Sequence, residues 1–236
     1  MKTIGLIGGT SWHSTIEYYK FINQSVNEHF GNNTNPPLVL YNLNHALVNQ
    51  YQREGAWHKI ADLIVIGGQR LQDAGAEALV LCANTQHKVY DLVAAQLDIP
   101  ILHIADATAR QIQKQGLQSV CFLGTKFSME ADFITERITR HQIKVLVPDR
   151  SLVIEELHRI IHQELVYGQV LPKSKNYVLG CINELTAQGA EGVVLGCTEF
   201  PHLIQPEDLP FPVFNTTSIH AQAAVDFILD EFEPRP

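Results

Sequence analysis

Short apolar runs bounded by Gly or Pro, stretches of helical period between them, and an internal repeat predict an α/β fold with two pseudo-symmetric lobes, each a parallel sheet flanked by helices. The runs fall at residues 3–7, 38–41, 78–81, 101–104, 119–123, 145–147, 192–195 and 213–215. Continuous apolar character suits parallel strands covered on both faces. Helical period appears at 16–22, at 60–74 before Gly75, at 152–167 before Gly168, and at 219–232. A glycine directly after such a stretch reads as a helix C-cap. Strands alternating with helices imply right-handed crossovers.

The repeat aligns Gly75-Ala76-Glu77-Ala78-Leu79-Val80-Leu81-Cys82-Ala83-Asn84-Thr85, without a gap, on Gly189-Ala190-Glu191-Gly192-Val193-Val194-Leu195-Gly196-Cys197-Thr198-Glu199. Two further landmarks keep the order: Ile4-Gly5-Leu6-Ile7-Gly8 with Val120-Cys121-Phe122-Leu123-Gly124, and Ile99-Pro100-Ile101-Leu102 with Phe211-Pro212-Val213-Phe214. Three landmarks in one order mark two equivalent halves. The division expected is a first lobe of 1–97 plus 210–236 and a second lobe of 98–209. Ligands of parallel sheets bind beyond the carboxyl ends of the strands. Facing lobes would place the active site in a cleft between Ala83-Asn84-Thr85 and Cys197-Thr198-Glu199, with Gly8-Gly9-Thr10-Ser11 at one wall.

A chain of 236 residues, 45% hydrophobic and 18% charged, is ordinary for a globule and long enough for a core in each half. The net charge of −8, without a clustered Lys/Arg run, argues against nucleic acid or an anionic membrane surface as partner. The N-terminal apolar run is too short for a signal segment and no stretch has the length of a membrane span, so a cytoplasmic location is expected. Cys82, Cys121, Cys181 and Cys197 show no paired spacing, which suggests neither a zinc ribbon nor a disulfide framework.

A thiol acts as base or nucleophile only when its pKa is drawn down from about 8.5, as free backbone N–H groups at a loop or helix start do. Cys197 ends a strand and precedes Thr198, Glu199 and Pro201, residues typical of a helix start. This context separates it from Cys121 and Cys181, which read as core. The repeat gives Cys197 the symmetry mate Ala83, with Cys82 one residue too early. Asn84 and Thr85 directly follow their strand, where they suit helix capping and carboxylate binding alike. The Gly8-Gly9-Thr10-Ser11 loop lacks the G-x-G-x-x-G spacing, and Gly124-Thr125-Lys126-Phe127-Ser128 is no phosphate loop. His158 and His162 stand four apart, but Arg159 replaces the glutamate of H-E-x-x-H, and no metal site is expected. His87 reads as a hydrogen-bonder at the start of a helix.

Together Ile4-Gly5-Leu6-Ile7-Gly8-Gly9-Thr10-Ser11-Trp12, Asn84-Thr85-Gln86-His87-Lys88, Leu102-His103-Ile104-Ala105-Asp106-Ala107-Thr108 and Gly196-Cys197-Thr198-Glu199 resemble the aspartate/glutamate racemase superfamily, within it the aspartate and broad-specificity amino-acid racemase branch. The resemblance covers the whole chain. It implies racemisation of a small amino-acid substrate without pyridoxal phosphate, metal or other cofactor, often in a homodimer. In that chemistry two thiols face opposite sides of the α-carbon, one removing the hydrogen and the other returning it. By resemblance Cys197 is the second-lobe thiol, with Thr198 and Glu199 beside the substrate and Thr10, Asn84 and Thr85 lining it.

The first-lobe thiol of the family stands immediately before Asn-Thr, and here that place is Ala83. Successive strand residues point to opposite faces, which turns Cys82 away, although alternation can fail at a strand end. Cys82 is therefore a candidate catalytic residue together with Cys197. The readings left open are a weak or one-directional racemase using Cys197 with water or Cys82, hydrogen exchange on one enantiomer, single-thiol carbanion chemistry like that of arylmalonate decarboxylase, and an inactive amino-acid-binding protein. Correspondence with the branch also puts Gln52 or Arg53 near the substrate, where Arg53 could grip a carboxylate bidentately. Acid-specific relatives carry a Lys before a Gly in the second lobe; Leu165-Val166-Tyr167 precede Gly168 here, which favours a neutral or broader substrate range.

Overall fold

Strands buried on both faces need helices on both faces, and the computed structural model, which describes residues 1–230, has this arrangement twice. In the first unit the chain runs β1 (Ile4–Gly8), α1 (Trp12–Phe30), β2 (Leu38–Asn42), α2 (His45–Arg53), α3 (Trp57–Asp73), β3 (Ala78–Leu81), a 3-10 turn (Thr85–Val89), α4 (Tyr90–Ala94) and β4 (Ile101–Leu102). The second unit follows with α5 (Ile104–Lys114), β5 (Ser119–Gly124), α6 (Lys126–Glu130), α7 (Thr135–Thr139), β6 (Lys144–Leu146), α8 (Ser151–Gln163), α9 (Pro172–Ala187), β7 (Val193–Gly196), α10 (Phe200–Leu203) and β8 (Val213–Asn215). The chain then returns along α11 (Thr216–Ile228). Both sheets are four-stranded and parallel with equivalent orders, β2-β1-β3-β4 and β6-β5-β7-β8.

Strand alternation sorts the first unit's side chains into two cores. Ile4, Leu6, Ala78, Val80 and Cys82 pack against Tyr18, Ile22 and Val26 of α1 and Ala221, Ala224, Val225 and Ile228 of α11. On the other face Ile7, Leu79 and Leu81 meet Ile60, Ala61, Ile64, Val65 and Leu71 of α3. The second unit buries Val120, Phe122, Val194 and Leu195 among α8 and α9 residues such as Leu157, Ile160, Val178 and Ile182.

The short edge strands belong to other halves than the sequence division at 97/98 and 209/210 assumes. β4 pairs with β3, Leu79 opposite Ile101 and Val80 opposite Leu102, so it completes the first sheet. β8 pairs with β7 and completes the second. The compact units are accordingly Met1–His103 with the chain from His220 onward, and Ile104–Ile219. The repeated Ile-Pro and Phe-Pro landmarks thus close their own sheets and do not open the next ones. Other differences are local. Ile104 starts α5 and so shortens the 101–104 run to two strand residues. The stretch 152–167 is α8 followed by a 3-10 turn, Leu165–Tyr167, stopped by Gly168 at φ 72°. α9 adds a helix beyond those picked out above, and α11 starts earlier than residue 219, while Phe232 lies outside the described residues.

Candidate functional site

In parallel sheets every strand delivers its following loop to the same end, so each unit collects its loops at one edge. In the second unit these are the segments after β5, β7 and β8. Cys197 directly follows β7 and is 7% exposed. Its thiol donates to Glu199 Oε2 at 2.9 Å, and the Thr198 hydroxyl donates to the same oxygen at 2.7 Å. Glu199 occupies the N-cap position of α10, a single turn with Pro201 in its first positions. The backbone N–H groups of Thr198 and Glu199 draw the thiol pKa down, as the strand-to-helix context predicts, but burial and the Glu199 carboxylate outweigh them and hold it well above the usual thiol range. The expected depressed pKa is therefore not the resting condition. The thiol is protonated, with a carboxylate positioned to take its proton.

Beside it, at the end of β8, Asn215 Oδ1 accepts from the backbone N–H of Thr217 at 3.0 Å, and the Thr216 hydroxyl donates to the Leu195 carbonyl at 2.9 Å. Thr217 Oγ1 is buried with no hydrogen-bond partner among the described residues. A buried hydroxyl left this way costs stability unless something else satisfies it, which makes Thr217 a candidate that the reading above did not single out. The signal was present: Asn215-Thr216 ends a strand as Asn84-Thr85 does.

The first unit gathers the loops after β1, β2 and β3. Gly9 has φ 82°, and a side chain there would collide with the Leu43 carbonyl, so glycine is what lets the chain turn between β1 and α1. Thr15 fixes this loop by accepting from Gly9 N at 3.0 Å while donating to the Ser11 carbonyl at 3.0 Å. Thr10 Oγ1 is buried without a hydrogen-bond partner among the described residues. Asn84, 5% exposed, holds the N-cap position of the turn after β3 but makes no capping hydrogen bond with its side chain. Ala83 and Thr85 are half-buried.

Cys82 continues the alternation of Ala78 and Val80 into the core against α1 and α11, and is 1% exposed. Its thiol lies 3.9 Å from the Val80 carbonyl, and burial pushes its pKa far up. The strand pattern thus persists through residue 82, and the thiol points into the apolar interior. Gln52 and Arg53 end α2, remote along that helix from β2, with Gln52 half-buried and Arg53 exposed. His158 and His162 lie 4.2 Å apart between centroids with their planes tilted by 56°, and burial with the neighbouring His162 takes His158 down to about 4. No group of three or more His, Cys, Asp or Glu that could hold a metal ion occurs among the described residues. No helix among them is long and apolar enough to cross a membrane.

A parallel α/β protein of two like halves, with a strand-end thiol hydrogen-bonded to a carboxylate, is the class these features define. The sequence profile of Asp/Glu/Hydantoin racemases matches residues 7–224, and the chain belongs to that family. The superfamily resemblance carried by the motifs is borne out. A candidate Asp/Glu racemase structure from Yersinia pestis is 43% identical with a TM-score of 0.92, covering 97% of this chain and all of its own. An aspartate racemase homologue from Pyrococcus horikoshii OT3 is 35% identical with a TM-score of 0.85 and the same coverage, 97% of this chain and 100% of its own. The broad specificity amino-acid racemase RacX of Bacillus subtilis (strain 168) is 21% identical over 169 residues, 70% of this chain and 71% of its own length.

Proposed function

We propose that the protein is a cofactor-independent amino-acid racemase-type enzyme in which Cys197 is the single thiol working at the substrate α-carbon and Glu199 exchanges a proton with it. The observation that carries this reading is the Cys197 thiol donating to Glu199 at 2.9 Å at the end of β7. Glu199 accepts the thiol proton, the thiolate removes the α-hydrogen, and the electron pair left on carbon is delocalised into the substrate carboxylate. When the hydrogen on sulfur is replaced from solvent before it returns to carbon, the outcome is hydrogen exchange without inversion; when a water on the opposite face protonates the carbon, the hydroxide left behind is neutralised by the proton held on Glu199 and the other enantiomer forms. Ala83 has no proton to give, and Cys82 faces the apolar core, so water takes the second role in this reading. Thr10, Asn84, Thr85, Thr198 and Thr217 are its substrate-binding residues, with Gln52 and Arg53 as the carboxylate grip. The same reading takes the enzyme as cytoplasmic and homodimeric.

One thiol paired with Ala83 also fits a single-cysteine carbanion enzyme of the decarboxylase kind. The two readings separate in one experiment: solvent-deuterium incorporation at the α-carbon of separate L- and D-amino acids (aspartate, glutamate and several neutral ones), and carbon dioxide release from a substituted malonate, with wild type and Cys197→Ser. The expected result is exchange of amino-acid α-hydrogen, faster from one enantiomer and reduced about 10²–10⁴-fold in Cys197→Ser. Exchange surviving in Cys197→Ser would remove Cys197 from the chemistry. Decarboxylation without amino-acid exchange would replace the racemase reading.

A further inference from the structure

Four segments distant in sequence bring a layer of buried aromatic and imidazole rings beneath the loop after β3. Tyr18 comes from α1, His87 from the turn at Thr85–Val89, His103 from the residue after β4, and His220 from α11; their exposures are 0, 2, 5 and 0%. None has a part in the chemistry proposed above. His220 Nε2 lies 2.8 Å from the Leu102 carbonyl, which only accepts, so Nε2 carries the hydrogen. In the neutral ring Nδ1 then accepts from the Tyr18 hydroxyl at 2.9 Å. These bonds fix the tautomer and plane of His220.

His87 stands between the other two imidazoles. Its ring centroid is 4.6 Å from that of His103 and 5.4 Å from that of His220. His103 is the last residue before the chain leaves the first unit, and His220 is the residue at which it returns. His87 also closes the loop on itself in two ways. Its backbone N–H donates to the Asn84 carbonyl at 3.1 Å, and its Nδ1–H donates to the Ala83 carbonyl at 3.0 Å. The second bond ties the side chain of His87 back to the residue before the turn, Ala83. Ala83 is held from the other side by its N–H to the Leu81 carbonyl at 2.8 Å.

We propose that His87 is a positioning residue: its Nδ1–H ties the Ala83 carbonyl, its ring is braced by His103 and His220, and through that tie it holds Ala83-Asn84-Thr85 in the conformation that binds substrate. The substrate-binding part of this inference rests on the racemase reading; the loop-holding part does not. An asparagine places its amide N–H where Nδ1 stands, a glutamine places it at the Nε2 end, and a leucine has none. The three replacements therefore separate the hydrogen bond from simple space filling.

The test compares wild type with His87→Asn, His87→Gln and His87→Leu as complete proteins, by amide hydrogen exchange over residues 84–89 and by KM and kcat for α-hydrogen exchange. A single buried hydrogen bond is expected to change loop opening about tenfold. His87→Leu and His87→Gln should speed exchange in the loop about tenfold and raise KM by about the same factor, with kcat within about threefold, because the loss falls on binding shared by ground and transition states. His87→Asn should restore both readouts. If the leucine variant does not fold, the asparagine–glutamine pair makes the same comparison. Loop exchange unchanged in His87→Gln, or His87→Asn as impaired as His87→Gln, overturns the inference. A wild type that exchanges no amino-acid hydrogen defeats the racemase reading alone, and the amide comparison still decides whether His87 holds the loop.

Discussion

Acidification from pH 7 to pH 5 should weaken the first unit through His220. Burial, then the neighbouring His87, hold this imidazole down to about 3, against about 6.5 for an exposed one. A histidine with a depressed folded-state pKa contributes stability that is complete above the unfolded pKa and is lost as pH falls below it, because the unfolded chain binds a proton that the folded chain refuses. At pH 5 the unfolded histidine is almost fully protonated and the folded one still neutral. At ~1.4 kcal/mol per pKa unit, the loss between pH 7 and pH 5 is about 2 kcal/mol. His220→Gln keeps a donor for the Leu102 carbonyl but cannot titrate, so it should be less stable at pH 7 and lose about 2 kcal/mol less on acidification. Trp12 and Trp57, the chain's two tryptophans, both belong to the first unit, so urea unfolding followed by tryptophan fluorescence reports the part that contains His220. The depressed carboxyl of Asp106 titrates below this window, and His158 lies in the second unit. Equal losses in wild type and His220→Gln would show that the imidazole is not held neutral by its burial, and the reasoning would fail.

Removing the charge of the carboxylate beside the thiol should have two opposite effects. In Glu199→Gln the Cys197 pKa falls because the like-charge repulsion is gone, so alkylation by iodoacetamide at pH 7.5 should accelerate several-fold while α-hydrogen exchange drops at least tenfold for want of the proton acceptor. Slower alkylation would mean that Glu199 does not raise the thiol pKa. Installing a thiol at the symmetry mate of Cys197 should supply the second acid: Ala83→Cys is expected to raise the ratio of inversion to exchange at least tenfold, read as deuterium in the product enantiomer by chiral chromatography. An Ala83→Cys protein whose new thiol alkylates readily but whose inversion ratio stays at the wild-type value would count against residue 83 facing the substrate.

Much of the site was legible because it sits where strands stop. The gapless repeat placed Ala83 and Cys197 at corresponding strand ends, and in the structure Cys197 directly follows β7 while Ala83 follows β3 with Cys82 between. Alternation also favoured an inward Cys82, since period-two geometry needs no tertiary information. What could not be read was the balance of forces on Cys197. The sequence shows a thiol before a helix start, but only the fold brings the Glu199 carboxylate onto the sulfur and reverses the pKa shift expected from the backbone. For Thr217 the sequence shows only the strand-end pattern Asn215-Thr216, while the buried, unsatisfied oxygen that makes the residue a candidate is a tertiary property.

By itself the sequence determined the period of each element, the glycines that stop the helices, the duplicated order of strands and the absence of a thiol at residue 83. These are local or self-comparing properties, fixed by side-chain spacing along one segment. The tertiary structure alone decided that β4 and β8 complete the sheets they follow, and that Tyr18, His87, His103 and His220 meet in one layer. Partners separated by as many as 202 residues find each other only when whole faces pack, and a two- or three-residue edge strand carries too little pattern to choose its neighbour in advance.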